Sequence, residues 1–223
     1  GTMKYDGAIF DLDGVLVDTA RYHYLAWKEL AHKLGFEFTP EQNEKLKGVS
    51  RMDSLNLLLE TGGMKDRFSQ EEKEKMAAWK NCRYVASISS MDSSELLEGA
   101  LELLNKLKAR GIKLALGSSS KNAPLILKST GISPLFDAVI DGNCVTRAKP
   151  DPQIFLLAAK GLGLPGNRCV VFEDAEAGLQ AAKRGGMCAV GIGSRKDLPS
   201  ADAVYRNLPQ FPLGDYFPRK SRS

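Results

Sequence analysis

The chain has 223 residues, 43% of them hydrophobic and 26% charged, a globular composition that excludes disordered, collagen-like and membrane-embedded classes. No apolar run reaches the length of about 18 residues that a spanning helix needs, and Asp6, Asp11 and Asp13 interrupt the stretch in which a signal peptide would lie. Of the net charge of +4, Arg219, Lys220 and Arg222 supply three, leaving a near-neutral body whose basic tail reads as a solvated terminus rather than a nucleic-acid site. The expectation is therefore a soluble, cytoplasmic monomer with neither nucleic-acid nor membrane partners.

The first strand signal is the apolar run at 8–10, which ends at Asp11. No strand follows between about Thr19 and Ser90, only helices with clear starts. Thr39-Pro40-Glu41-Gln42 reads as a capping box with proline at the first helical position. Ser50 caps a helix that runs through Leu55, Leu57, Leu58 and Leu59 to a stop at Gly62-Gly63. Ser69-Gln70-Glu71-Glu72 is a second capping box. Beyond this block, helices over 101–109, 123–130, 153–161 and 175–183 alternate with strands at 112–116, 138–140 and 169–172. Weaker strands follow at 188–190 and 203–205. Gly111, Gly131 and Gly185 stand where left-handed helix stops want glycine. The alternation predicts an α/β fold, a Rossmann-like doubly wound parallel sheet. Residues 1–17 and 91–223 would form this core, and 18–90 an inserted α-helical cap. Cys82, Cys144, Cys169 and Cys188 include no C-x-x-C pair, so reduced thiols are expected rather than a zinc site.

Ligands of open parallel sheets bind beyond the carboxyl ends of the strands. Asp11 and Asp13 follow the first strand, Ser118 the second, Lys149 the third, and Glu173-Asp174 the fourth. Singly, each has a plain structural reading: an aspartate after a strand as a turn former, a lysine before proline as a surface turn. Together they suit phosphoryl transfer. A carboxylate accepts the phosphoryl group as an aspartyl phosphate, and clustered carboxylates call for a hard cation such as Mg2+. Lysine balances the nucleophile as a point charge, and a hydroxyl donates to phosphoryl oxygens.

Phe10-Asp11-Leu12-Asp13-Gly14-Val15 resembles the first motif of the haloacid-dehalogenase-like phosphotransferases. Ser118, Lys149-Pro150 and Glu173-Asp174 stand where that family's other three motifs fall. Asp18-Thr19-Ala20 with His23, Ala26-Trp27-Lys28, the run from Leu46 to Arg51, Lys80-Asn81, Gly117 to Asn122 and Lys149-Pro150-Asp151-Pro152 resemble the β-phosphoglucomutase branch. The resemblance runs from Tyr5 to about Gly193. It implies an isomerase that interconverts β-D-glucose 1-phosphate and glucose 6-phosphate through β-glucose 1,6-bisphosphate, which also primes the enzyme. Asp11 would be the phosphorylated nucleophile and Asp13 the general acid and base. Mg2+ would sit among Asp11, Glu173, Asp174 and the backbone carbonyl of Asp13. Ser118 and Lys149 would hold the transferring phosphoryl group. Arg51 would grip the other phosphate, helped by Ser120, Lys121 and Asn122, and Ser119 belongs to the same hydroxyl-rich loop. Gly48, Val49 and Ser50 would frame Arg51, while Thr19, His23 and Lys80 would position Asp13 on cap closure. A cis peptide at Lys149-Pro150 is also implied. Two local readings stay open. Thr19, His23 and Trp27 share an i, i+4, i+8 stripe that is equally a core stripe, and Trp27 either packs or lines the pocket. The rival functions are a sugar-phosphate phosphatase on the same scaffold and a non-catalytic phosphosugar-binding protein.

Overall fold

Strand β1 (Gly7–Phe10) is buried along its whole length, as befits a strand covered on both faces of a parallel sheet. The computed structural model describes residues 5–47 and 49–219. These fall into two compact units, 5–18 with 91–219, and 19–90.

The second unit is helical throughout its described residues. Helix α1 (Ala20–Leu34) stops at left-handed Gly35. α2 (Pro40–Asn43) opens on the capping box of Thr39 and Gln42. In α3 (Arg51–Thr61) the hydroxyl of Ser50 accepts from the Asp53 N–H, and in α4 (Gln70–Ser89) Ser69 and Glu72 cap each other reciprocally. These caps satisfy N–H groups that a helix start otherwise leaves unpaired. The unit has its own core of Trp27, Leu30, Ala31, Phe38, Leu55, Leu58, Leu59 and Ala77.

The first unit continues with α5 (Ala100–Ala109), β2 (Lys113–Gly117), α6 (Ala123–Thr130), β3 (Ala138–Ile140), α7 (Gln153–Leu162), β4 (Cys169–Glu173), α8 (Glu176–Arg184), β5 (Cys188–Ile192), β6 (Ala203–Tyr205) and α9 (Leu213–Tyr216). The six strands form one sheet in the order β3-β2-β1-β4-β5-β6, every neighbouring pair parallel. This is the doubly wound order in which the chain reverses direction at β1. Ile9, Ala115, Val171 and Ala189 share a core with Ile154 and Phe155 of α7 and Leu179 of α8. Phe10 and Phe172, paired across β1 and β4, stack with ring centroids 4.5 Å apart.

One expected stop is displaced. Gly185 has φ −81°, and the left-handed residue is Gly186 at φ +75°. The Gly186 N–H donates to the Lys183 carbonyl and the Met187 N–H to that of Ala182, a Schellman closure that puts the left-handed position one residue later. The four cysteines are free thiols, with Cys169 buried and Cys82 and Cys144 exposed. No described helix is long and apolar enough to cross a membrane. Lys220 and Arg222 of the basic tail lie outside the described residues.

Candidate active site

The winding reversal at β1 opens a crevice beyond the ends of β1 and β4. Asp11 is the first residue past β1, and its N–H donates to the Phe172 carbonyl at 3.0 Å. Glu173 is the last residue of β4 and Asp174 the next. Lys149 arrives from the loop between β3 and α7, at the cis peptide Lys149-Pro150. Its Nζ donates to Asp11 Oδ1 at 3.2 Å, Glu173 Oε2 at 2.9 Å and the Gly117 carbonyl at 3.2 Å. Glu173 Oε1 meanwhile accepts from the N–H groups of Asp174 and Ala175. The hydrogen-bonding groups of this buried glutamate are thus committed to neighbours on three sides.

The charges are frustrated without a further cation. Burial first, and then the Glu173 charge, push the Asp11 carboxyl up to about 7. Burial and Asp11 push Asp174 up to about 6, and burial holds Glu173 above the usual carboxylate range. Burial alone would depress Lys149, but Asp11 and Glu173 more than reverse this and leave it raised. Asp11, Glu173 and Asp174 offer oxygens within 4.8 Å of one another, three acids against one lysine. An all-oxygen donor set with excess negative charge fits Mg2+.

Asp13 lies two residues past Asp11, with buried Leu12 between them, and its charge acts on Asp174. Ser118, buried beyond β2, takes the Ile140 carbonyl on its N–H at 3.0 Å. Its hydroxyl accepts from the Ser120 N–H at 3.2 Å, and the Ser120 hydroxyl from the Asn122 N–H at 3.1 Å. The turn after β3 fixes this loop from behind: the Gly142 N–H donates to the Ser120 carbonyl and Asn143 Nδ2 to that of Lys121. Ser119 lies in the same loop.

The helical unit gathers its own set. Lys80 Nζ lies 2.9 Å from His23 Nδ1 and 4.5 Å above the ring of Trp27. The imidazole stacks on Tyr84 with centroids 3.8 Å apart. Burial and then the Arg51 charge lower Lys80 to about 7. Burial, Lys80 and Arg51 lower His23 to about 3, so the imidazole is neutral. Arg51, the first residue of α3, donates to Asn81 Oδ1 at 3.1 Å. Like-charge pressure from Arg51 on both groups makes this cluster a place that a bound anion would relieve. Trp27 both packs in the core and faces Lys80. Thr19 is buried just before α1 and accepts the N–H groups of Tyr22 and His23 on its carbonyl. Val49 and Ser50 sit at the start of α3, Val49 accepting from the Ser54 hydroxyl; Gly48 lies outside the described residues. Sequence reasoning missed Tyr84, although its i+4 spacing from Lys80 on a helix was a usable signal, and it missed the turn at Gly142-Asn143.

The model of the haloacid dehalogenase-like hydrolases matches residues 5–186. The chain belongs to that family. It is 43% identical over 205 residues to a β-phosphoglucomutase of Bacillus subtilis, covering 92% of this chain and 91% of the relative. It is 32% identical to a phosphorylated carbohydrates phosphatase of Thermotoga maritima, covering 82% of each. Among solved structures, a β-phosphoglucomutase from Clostridium difficile superposes with a TM-score of 0.80 at 44% identity, covering 94% of both chains.

Proposed function

We propose that this family member catalyses the β-phosphoglucomutase reaction, passing a phosphoryl group between β-D-glucose 1-phosphate and glucose 6-phosphate through an aspartyl phosphate on Asp11. The observation that carries this reading is the identity of 43% to the Bacillus mutase over nearly the whole of both chains, against 32% over 82% for the carbohydrate phosphatase.

The side chains support a ping-pong cycle. Phospho-Asp11 presents its phosphorus to a hydroxyl of the bound sugar monophosphate. Asp13 takes the hydroxyl proton as the new O–P bond forms and the Asp11 O–P bond breaks, giving the bisphosphate. After reorientation, Asp11 attacks the other phosphate, and Asp13 returns the proton to the departing sugar oxygen. Lys149 neutralises Asp11 and the transferring oxygens, and Ser118 orients one of them. Ser119, Ser120, Lys121 and Asn122 supply further donors. Mg2+ held by Asp11, Glu173, Asp174 and the Asp13 carbonyl would supply positive charge that offsets the charge developing on the phosphoryl oxygens. Arg51 offers a guanidinium fork suited to a phosphate, and His23, Lys80, Thr19, Trp27, Val49, Ser50 and Gly48 form the rest of the substrate-recognising set. A cytoplasmic monomer remains our expectation.

The same acids serve a hydrolase equally well, because the fold does not fix the acceptor. The test gives purified protein Mg2+, β-glucose 1-phosphate and a trace of the bisphosphate, and follows glucose 6-phosphate and inorganic phosphate together. Glucose 6-phosphate far in excess of phosphate supports the mutase. Predominant phosphate release overturns it in favour of a sugar-phosphate phosphatase, and turnover of neither product points to a phosphosugar binder.

A further inference from the structure

Glu173 occupies the space in which a side chain at position 178 of α8 would stand. A Cβ built on Gly178 would lie 2.0 Å from Glu173 Oε2, 2.1 Å from Cδ and 2.3 Å from Cγ. The carboxyl group and the methylene behind it therefore fill the volume of the missing side chain. Gly178 lies in the first turn of α8, and it is not among the glycines with positive φ. Its backbone does not require glycine. The close approach of Glu173 gives a physical reason for glycine at this position.

We infer that Gly178 is a positioning residue: its missing side chain is the seat that holds the Glu173 carboxylate between Lys149 and the acids of the crevice. This rests on the reading of Asp11, Lys149, Glu173 and Asp174 as the phosphoryl-transfer site and deepens it. The seat has narrow tolerances. Glu173 Oε1 is tied to two backbone N–H groups and Oε2 to Lys149, so a side chain at 178 cannot be accommodated by turning the carboxylate in place. Any displacement breaks one of these bonds or shifts Lys149 relative to Asp11. Gly14 plays the matching part beneath Asp174, whose Oδ2 lies 1.9 Å from where its Cβ would stand. At φ +82° its backbone also demands glycine, so Gly178 is the cleaner test.

The experiment compares wild type, Gly178→Ala, Glu173→Asp and the double variant, by calorimetric titration with Mg2+ and by thermal melting in chelator. Gly178→Ala is expected to weaken Mg2+ binding about tenfold or more, the scale on which misplaced supporting groups act, and to lower kcat more than it raises KM. In the Glu173→Asp background, where the carboxylate is one methylene shorter, the same substitution is expected to cost little in Mg2+ affinity or melting temperature. If Gly178→Ala destabilises the fold, the double variant recovers it. Wild-type Mg2+ affinity and kcat in Gly178→Ala, or equal costs in both backgrounds, would overturn the inference. Failure of the mutase reading shows elsewhere, as a wild-type protein that binds Mg2+ yet makes no glucose 6-phosphate.

Discussion

Lys149 Nζ stands 2.9 Å from Glu173 Oε2, and the same ammonium reaches Asp11 Oδ1 at 3.2 Å. Both carboxylates and the lysine are largely removed from solvent, so each charge is tolerated only because the others are there. Lys149→Met keeps much of the stem and deletes the charge. It is expected to slow phosphoryl transfer by at least about 10²-fold, as loss of a donor to developing negative charge does. In metal-free buffer it should also destabilise the protein by about 3–5 kcal/mol, the scale for a buried charge that loses its partner. The deficit is expected to shrink at acid pH, where the freed carboxyls protonate. Melting curves at several pH values, with single-turnover kinetics, check both parts.

The proposed cycle gives Asp11 and Asp13, separated by the buried Leu12, different tasks, and their amides test that division. Asp11→Asn is expected to abolish phosphoenzyme formation, read as loss of the phosphoryl mass on the intact protein. Asp13→Asn keeps the nucleophile. Slow phosphorylation of Asp11 should remain, with turnover falling about 10²–10⁴-fold, the usual worth of a general acid and base. A phosphorylated Asp11→Asn protein would mean that another residue is the nucleophile.

The sheet was legible because punctuation and apolar runs agree: the strand expected at 8–10 extends one residue to Gly7, and 138–140 and 203–205 coincide with β3 and β6. Capping boxes at Thr39 and Ser69 were legible because the pairing is local in sequence. The acids were legible because strand ends converge in a parallel sheet. What escaped the sequence is long-range. Nothing local to Tyr84 says that it stacks on a histidine 61 positions earlier. Likewise, Gly178 looks like an ordinary helix defect until the Glu173 side chain is seen to fill its place. The shift from Gly185 to Gly186 is subtler, since two adjacent glycines fit the stop and only the closing hydrogen bonds choose between them.

In the helical unit, Lys80 makes the pH dependence of stability testable. Burial and the Arg51 charge bring its ammonium from 10.5 down to about 7. Between these values the unfolded chain holds a proton that the folded chain has lost, so the contribution of Lys80 becomes more favourable as pH rises through that window. Its penalty is full below about pH 7 and gone above about 10.5. Lys80→Met removes the titration and, at every pH, the contact with His23 Nδ1. The stability of the variant relative to wild type should therefore fall by an amount on the order of a few kcal/mol from pH 7 to 10. A pH-independent difference in denaturation free energy would mean that Lys80 titrates normally.

The acidic crevice carries the opposite sign and gives the cation its own signature. Asp11, raised to about 7, and Asp174, raised to about 6, bind protons more tightly folded than unfolded when no divalent cation is present. Their contribution to stability is then fully present below the unfolded value of 3.8 and is lost as pH rises through about 6 to 7. Mg2+ competes for the same oxygens, so each bound ion must displace the protons that hold the carboxyls neutral. The rise in melting temperature on adding Mg2+ to chelated protein should therefore be larger near pH 8 than near pH 5.5, and Mg2+ binding at the lower pH should release protons into the buffer. With Mg2+ at about 100 times its dissociation constant, the stabilisation near pH 8 is expected to be about 2.7 kcal/mol. Glu173→Gln should reduce it at both pH values. A Mg2+ effect that ignores pH would place the ion away from Asp11 and Asp174.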